Sequence, residues 1–330
     1  MDNVIIRLVK KEEFEELMNV MNIAFNFNSE EEKFEHILPK LYFKDNKNMI
    51  HYGAFVDGKL VASIGLYFMN FISKYSKLKV GCVGAVSTHP DYRKKGYFSH
   101  LIKKIISYAR RHKFDLLFLG GNRFRYGNYG FENAGRILNV TISKRTQIRL
   151  KPAAFTLEEL DKNNVNDLKA CLSLYNKELQ HVERTLNNFY NHVVSWNSVP
   201  YIVKVDNKIV GYFSSLDNNC ISEICYLKKY ENTMFEACLK LNDEANIQLP
   251  YSSYSNKLLA KVDGYSVGHN EMHYIINYDN VKKYLGFDES KTSEFNKLPK
   301  KEKVRALLGC NEYPSKYCKL DMFISVCDHG

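Results

Sequence analysis

Val86-Ser-Thr-His-Pro-Asp-Tyr-Arg93-Lys-Lys-Gly96-Tyr-Phe-Ser99 is the stretch whose reading decides the fold. The apolar run Val80-Gly-Cys-Val-Gly-Ala-Val86 before it reads as a strand, and Tyr97 to about Arg111 reads as a helix. In that helix Phe98, Leu101, Ile102, Ile105, Ile106 and Ala109 recur with a 3.6-residue period, while Lys103, Lys104, Arg110 and Arg111 take the opposite face. The first N–H groups of a helix lack intrahelical acceptors, and with the helix dipole they favour an anion. Gly96 can adopt positive φ and lets backbone approach a ligand closely. Arg93, Lys94 and Lys95 add positive charge at the same corner. Charge-assisted hydrogen bonds contribute roughly 1.5–3 kcal/mol each, so several together suffice to hold a diphosphate.

The turn contains neither G-x-G-x-x-G nor G-x-x-x-x-G-K-[ST], which excludes the dinucleotide and P-loop fingerprints. Some thirty residues on stands Tyr126-Gly-Asn-Tyr-Gly130-Phe131, with the apolar run Asp115-Leu-Leu-Phe-Leu-Gly120 between the two blocks. Together they resemble the GNAT N-acyltransferases: the first block resembles Q/R-x-x-G-x-G/A after a strand, the second Y-x-x-x-G-F after the fifth strand. Phe98 stands where the motif has Gly or Ala, a departure found in the enhanced-intracellular-survival (Eis) branch of the family.

The resemblance implies an α/β fold, a mixed central sheet flanked by helices, with acetyl-CoA as cosubstrate and no metal. Carried over position by position, it names Val86, Ser87, Thr88, Arg93, Lys94, Lys95, Gly96, Tyr97, Phe98, Ser99, Gly121 and Asn122 as cofactor contacts. Main-chain groups around Val86 and Thr88 would hold the pantetheine. Tyr126 would protonate the leaving thiolate, with Tyr129 as the second choice. A phenol near ~10 can protonate a thiolate near ~8.5 in a dry site. Gly81 and Gly84 would permit a bulge that opens the sheet. The base is open among Glu30, Glu31, Glu32, Glu132, water and a carboxylate at Gly330, the last implied by the Eis-type terminal carboxylate.

Outward from this core, Ile5–Val9 reads as a strand, Lys11–Ala24 as a helix and Ser29–Leu38 as a second helix stopped by Pro39. Ser29 with Glu32 makes a capping box. Tyr52–Val56 and Leu60–Tyr67 form a hairpin across Asp57-Gly58. A last strand near Ile137–Ile142 completes the GNAT order, with no clear helix in the Tyr126 block. Tyr52-Gly-Ala-Phe-Val-Asp57-Gly-Lys-Leu-Val-Ala62 then echoes in Tyr201-Ile-Val-Lys-Val-Asp206-Asn-Lys-Ile-Val-Gly211. Around the echo, Leu157–Leu174 reads as helical, Ile221–Leu227 as strand and Glu231–Leu241 as helix. Where the cofactor turn should recur stands Tyr226-Leu-Lys-Lys-Tyr230-Glu-Asn-Thr, without Pro-x-x-Arg-x-x-Gly. The expected organisation is a catalytic GNAT domain over 1–147, a degenerate GNAT-like domain over 148–287 that binds no coenzyme A, and a short C-terminal segment over 288–330 packed on the others. In that segment Val304–Leu308 reads as helix and Leu320–Val326 as strand.

The chain has 330 residues, more than one domain's usual length, with 45% hydrophobic and 25% charged residues. It has no run of eighteen apolar residues and no charged-then-apolar start, so neither a membrane span nor a signal peptide is expected. Eight scattered cysteines without C-x-x-C read as reduced thiols of a cytoplasmic protein. The net charge of +10 is spread over dispersed lysines, so nucleic acid is not the expected partner. His269-Asn-Glu-Met-His273 is not H-E-x-x-H and does not read as a zinc site. The reading is an N-acetyltransferase acting by direct transfer on a small-molecule or peptide amine. The alternative is an acyl-CoA-binding sensor without turnover. The acceptor is not legible, and self-association into a homo-oligomer stays open.

Overall fold

The computed structural model describes residues 3–216, 219–311 and 316–330. The chain divides into two compact units. The first comprises the residues up to Asn133, Glu271–Tyr284 and Gly330; the second comprises Ala134–Asn270 and Leu285–His329.

In the first unit β1 (Val4–Leu8) leads into α1 (Phe14–Phe25) and the short α2 (Phe34–Ile37). The expected second helix is broken. Glu30–Glu32 forms one 3-10 turn, closed by the Ser29–Glu32 capping box, and Lys33 is extended before α2 begins. Next come β2 (Met49–Val56), β3 (Lys59–Ser73) and β4 (Lys77–Thr88). α3 (Tyr97–Arg111) buries Leu101, Ile102, Ile105 and Ala109, the stripe its period predicts. β5 (Leu116–Leu119) is wholly buried. The Tyr126 block does contain a helical turn, α4 (Arg123–Tyr126), too short to leave a period; the Asn122 side chain caps it by accepting from Phe124 N–H at 2.8 Å. β6 (Glu132–Asn133) follows.

The expected last strand, β7 (Arg136–Ser143), lies in the second sheet. After α5 (Lys144–Gln147) comes β8 (Thr156–Glu159), which pairs with a later strand and corrects the helical reading from Leu157. The helix proper is α6 (Val165–Tyr175). The second unit continues with β9 (Gln180–Val182), α7 (Leu186–Val193), β10 (Val199–Val205), β11 (Lys208–Leu216), β12 (Cys220–Tyr226), α8 (Glu231–Leu239), β13 (Glu244–Pro250) and, past α9 (Asn256–Leu259), β14 (Gly264–His269). β15 (Met272–Ile275) then joins the first sheet, antiparallel to both β5 and β6.

The two sheets share one plan. The first runs β1-β2-β3-β4-β5-β15-β6 and the second β8-β10-β11-β12-β13-β7-β14. In each, the only parallel pair among these neighbours is the fourth with the fifth strand, β4 with β5 and β12 with β13. Each sheet thus takes its sixth strand from the other half of the sequence. The echoed hairpins agree in detail. Asp57-Gly58 and Asp206-Asn207 all have positive φ, as a two-residue hairpin turn requires. Both hairpins carry a bulge at the same offset, after Ala54 and after Val203.

In the segment after β15, the helix expected over Val304–Leu308 forms but begins earlier, at Lys300, while Leu320–Val326 forms no strand. Its main chain is taken instead by single contacts, such as Ile324 N–H to Asn270 Oδ1 at 2.6 Å. His269 ends β14 and His273 is buried within β15. Among the described residues no group of three His, Cys, Asp or Glu could hold a metal, and no helix is long and apolar enough to cross a membrane. All eight cysteines are free thiols.

Candidate active site

The site begins with a defect in β4. Ser63 pairs with Ser87 and Gly65 with Gly84, so β4 carries one extra residue there, and Ala85 takes φ 47°. This is the bulge that the glycines of the strand foreshadow. β4 pairs with β5 only from Val80 to Cys82, so beyond Cys82 the edge of β4 facing β5 is unpaired by it. His89 N–H donates to Val61 C=O at 2.8 Å. Alternation along an antiparallel ladder therefore turns the main-chain groups of Val86 and Thr88 to the open edge. The Ser87 hydroxyl is buried and bonds the Ser63 hydroxyl at 2.8 Å.

The turn that follows is built on two left-handed residues, Lys94 at φ 64° and Gly96 at φ 81°. Gly96 is the N-cap of α3, with no side chain capping it. Among the described residues, the N–H groups of Gly96, Tyr97 and Phe98 donate to no protein acceptor. A Cβ at Gly96 would meet nothing within 4 Å. The open corner continues into a cavity of about 620 Å³ lined by Val86, Ser87, Thr88, Arg93, Lys94, Lys95, Gly96, Tyr97, Phe98 and Ser99. Ala24, Phe25, Tyr92 and Arg125 complete the wall.

The side chains at the corner hold one another in defined places. Arg93 is spent on architecture: it donates to Ala24 C=O at 3.0 Å and to Thr88 C=O at 3.4 Å, tying the turn to the end of α1. Asn122 is spent on capping α4, and neither it nor Gly121 lines the cavity. Gly121 instead makes room for Tyr126, whose ring carbon would lie 2.4 Å from a Cβ there. Tyr126 is buried and does not line the cavity itself; it meets the cavity-lining Phe98 edge-on at 5.4 Å. Burial raises its phenol pKa, and nearby Arg125 opposes that rise. The Tyr129 hydroxyl donates to Oγ of the cavity-lining Ser99 at 2.8 Å.

Of the base candidates, Glu32 accepts from the N–H groups of Asn28 and Ser29, Glu30 pairs with Lys33, and Glu132 pairs with Arg123. Gly330 lies over the bulge: its main-chain oxygen would be 2.7 Å from a Cβ at Gly84, and Cys82 and Leu41 flank it. On the same face His51, opposite Gly65, is buried, neither ring nitrogen hydrogen-bonded among the described residues, and burial lowers its pKa to about 4.

The family model of the acetyltransferase (GNAT) domain matches residues 5–134. Residues 5–134 are a GNAT acetyltransferase domain. No curated protein matches the sequence. Among solved structures, the chain is similar to a probable N-acyltransferase of unknown function from Enterococcus faecalis V583, at 16% identity and TM-score 0.69, over 87% of this chain and 76% of that one. It is similar to Eis1 from Mycobacterium abscessus, at 14% identity and TM-score 0.62, over 87% and 77%. It is also similar to a tandem GNAT protein from the clavulanic acid biosynthesis pathway, at 11% identity and TM-score 0.52, over 82% and 97%. At these identities the likeness concerns the fold, which is that of an Eis-like tandem GNAT protein. The GNAT domain makes acyl transfer the general activity.

Proposed function

We propose that this protein transfers an acetyl group from acetyl-CoA directly to a primary amine of a small molecule or peptide. The observation that carries the proposal is the set of unpaired N–H groups at Gly96, Tyr97 and Phe98, at the mouth of a cavity beside an opened strand edge. Bound acetyl-CoA supplies an activated thioester and a thiol leaving group. The α3 amides would hold its diphosphate, with Lys94 and Lys95 adding charge. Main-chain groups of Val86 and Thr88 would align the pantetheine, and an N–H at the bulge would polarise the acetyl carbonyl.

In this reading Tyr126 is the acid. Its phenol is protonated at neutral pH, with burial pushing its pKa further up, so it would have a proton to give the departing thiolate. Where Gly330 ends the chain, its carboxylate lies over β4's bulge at Gly84, beside Leu41 and Cys82, and would take the proton of the attacking amine. The second unit would bind no coenzyme A and contribute packing.

An amine panel with acetyl-CoA, read by thiol release, tests the assignment. Release above the amine-free background with any amine supports it. Tight acetyl-CoA binding with no release across aminoglycosides, polyamines, amino acids and peptides would favour an acyl-CoA-binding protein without turnover.

A further inference from the structure

Phe98 and Arg125 form a pair that the cofactor motif does not account for. Phe98 is the second residue of α3, where a small residue would leave the amides most open, and its half-buried ring narrows that corner. The guanidinium carbon of Arg125 lies 4.0 Å from the centre of this ring. Arg125 lines the cavity, and among the described residues its side chain makes no hydrogen bond or ion pair. A guanidinium laid on an aromatic face keeps its planar fork of N–H donors free for an anion. Two of the other cations at the corner are already engaged. Arg93 donates to Ala24 and Thr88, and Lys95 sits 5.0 Å over Tyr92. The placement of Arg125 is enforced by its own turn, since Asn122 caps α4 and the next residue, Tyr126, is buried against Phe98.

Resting on the reading of this cavity as a coenzyme A site, we propose that Arg125 binds a phosphate of the cofactor and that Phe98 is the platform holding it there. Arg125 thereby supplies the directed cation that the turn's own arginine does not.

Calorimetric titration with coenzyme A tests this on the full chain. R125Q should weaken binding by about 10- to 100-fold, the range for losing a charge-assisted hydrogen bond. R125K, which keeps charge without the planar fork, should fall between R125Q and the native protein. F98L removes no charge yet should weaken binding by about 5- to 10-fold, and F98W, which keeps a platform, should bind within about twofold of native. The double variant F98L/R125Q should bind no more weakly than R125Q alone, because the platform acts only through the arginine. Native binding with R125Q within twofold of it would overturn this inference alone, and so would losses that multiply in the double variant. Absence of native binding would overturn the cofactor site itself. Should R125Q not fold, F98L against F98W decides: equal affinities overturn the platform.

Discussion

The two strand–turn–helix corners of this molecule start from the same plan and end in opposite states. Both β4 and β12 carry a bulge, and both pair in parallel with the next strand only near their start. In the first unit His89–Gly96 then makes a wide turn with two left-handed residues, and α3 opens with unclaimed amides. In the second, Leu227–Tyr230 joins β12 to α8 directly, without glycine, and α8 begins with Glu231. α8 is packed from Thr233 to Leu239, and Met234 fills the space above Gly211, its sulfur 2.4 Å from a Cβ there. The chain's own tail occupies the β12 edge: Ser325 Oγ donates to Ser222 C=O at 3.4 Å and to Glu223 at 2.7 Å. Below it Arg184 is fully buried between Glu223 and Asp328, with His192 and Tyr175 also on Asp328. One corner leaves its main-chain amides unclaimed among the described residues. The other has spent the same edge on stability, and the comparison teaches that a tandem fold can divide these tasks between its copies.

The comparison predicts that damage at the second corner costs stability, while damage at the first costs binding or turnover. The largest effect is expected for Asp328→Ala, which strips Arg184 and His192 of a buried partner. Denaturant unfolding should show a loss of about 3–5 kcal/mol, with the coenzyme A affinity of the folded protein unchanged. Gly96→Asp should reverse that pattern. It places a carboxylate and a Cβ at the anion corner, weakening coenzyme A binding by about 100-fold or more while costing only about 1 kcal/mol of stability at positive φ. If the second unit binds no coenzyme A, as proposed, calorimetry should fall from one site per chain to none; a residual site would break the comparison. Tyr126→Phe should lower kcat by about 100-fold with acetyl-CoA affinity within twofold of native, and unaltered turnover would remove Tyr126 from the mechanism.

The smallest effect concerns His51. Its pKa falls from 6.5 unfolded to about 4 folded, so the unfolded chain binds the extra proton first as pH drops. Its contribution is complete above pH 6.5 and is lost as pH falls toward 4. His51→Gln should therefore flatten the melting curve's acid limb, by about 1 kcal/mol between pH 6.5 and 5.5.

Much of this was legible because it is local. The period of α3, the Asp-Gly turn and the Ser29–Glu32 box each fix their own element within a few residues. The echo around Asp57 and Asp206 revealed the second copy, since both hairpins obey the same turn chemistry. The strand exchange was hidden. The run near Ile137–Ile142 reads as a strand, but nothing in a strand's own alternation names its partner, and it pairs with β13 in the second sheet while β15 takes the place beside β5. Side-chain use was hidden for the same reason. Arg93 stands in the motif yet bonds Ala24, far back in the chain, while Arg125 has no sequence signal beside Tyr126 because the ring it lies on, Phe98, is on another helix. Thr156–Glu159 misled the helical reading because its pairing with β10, not its composition, makes it a strand.

Hydrogen–deuterium exchange of the full chain with and without coenzyme A tests the central claim most directly. The account predicts that the ligand slows exchange at Gly96, Tyr97 and Phe98 and along the open edge near Val86 and Thr88, and leaves Tyr230–Thr233 unchanged. Protection at the second corner, or none at Gly96–Phe98 under saturating ligand, would contradict it.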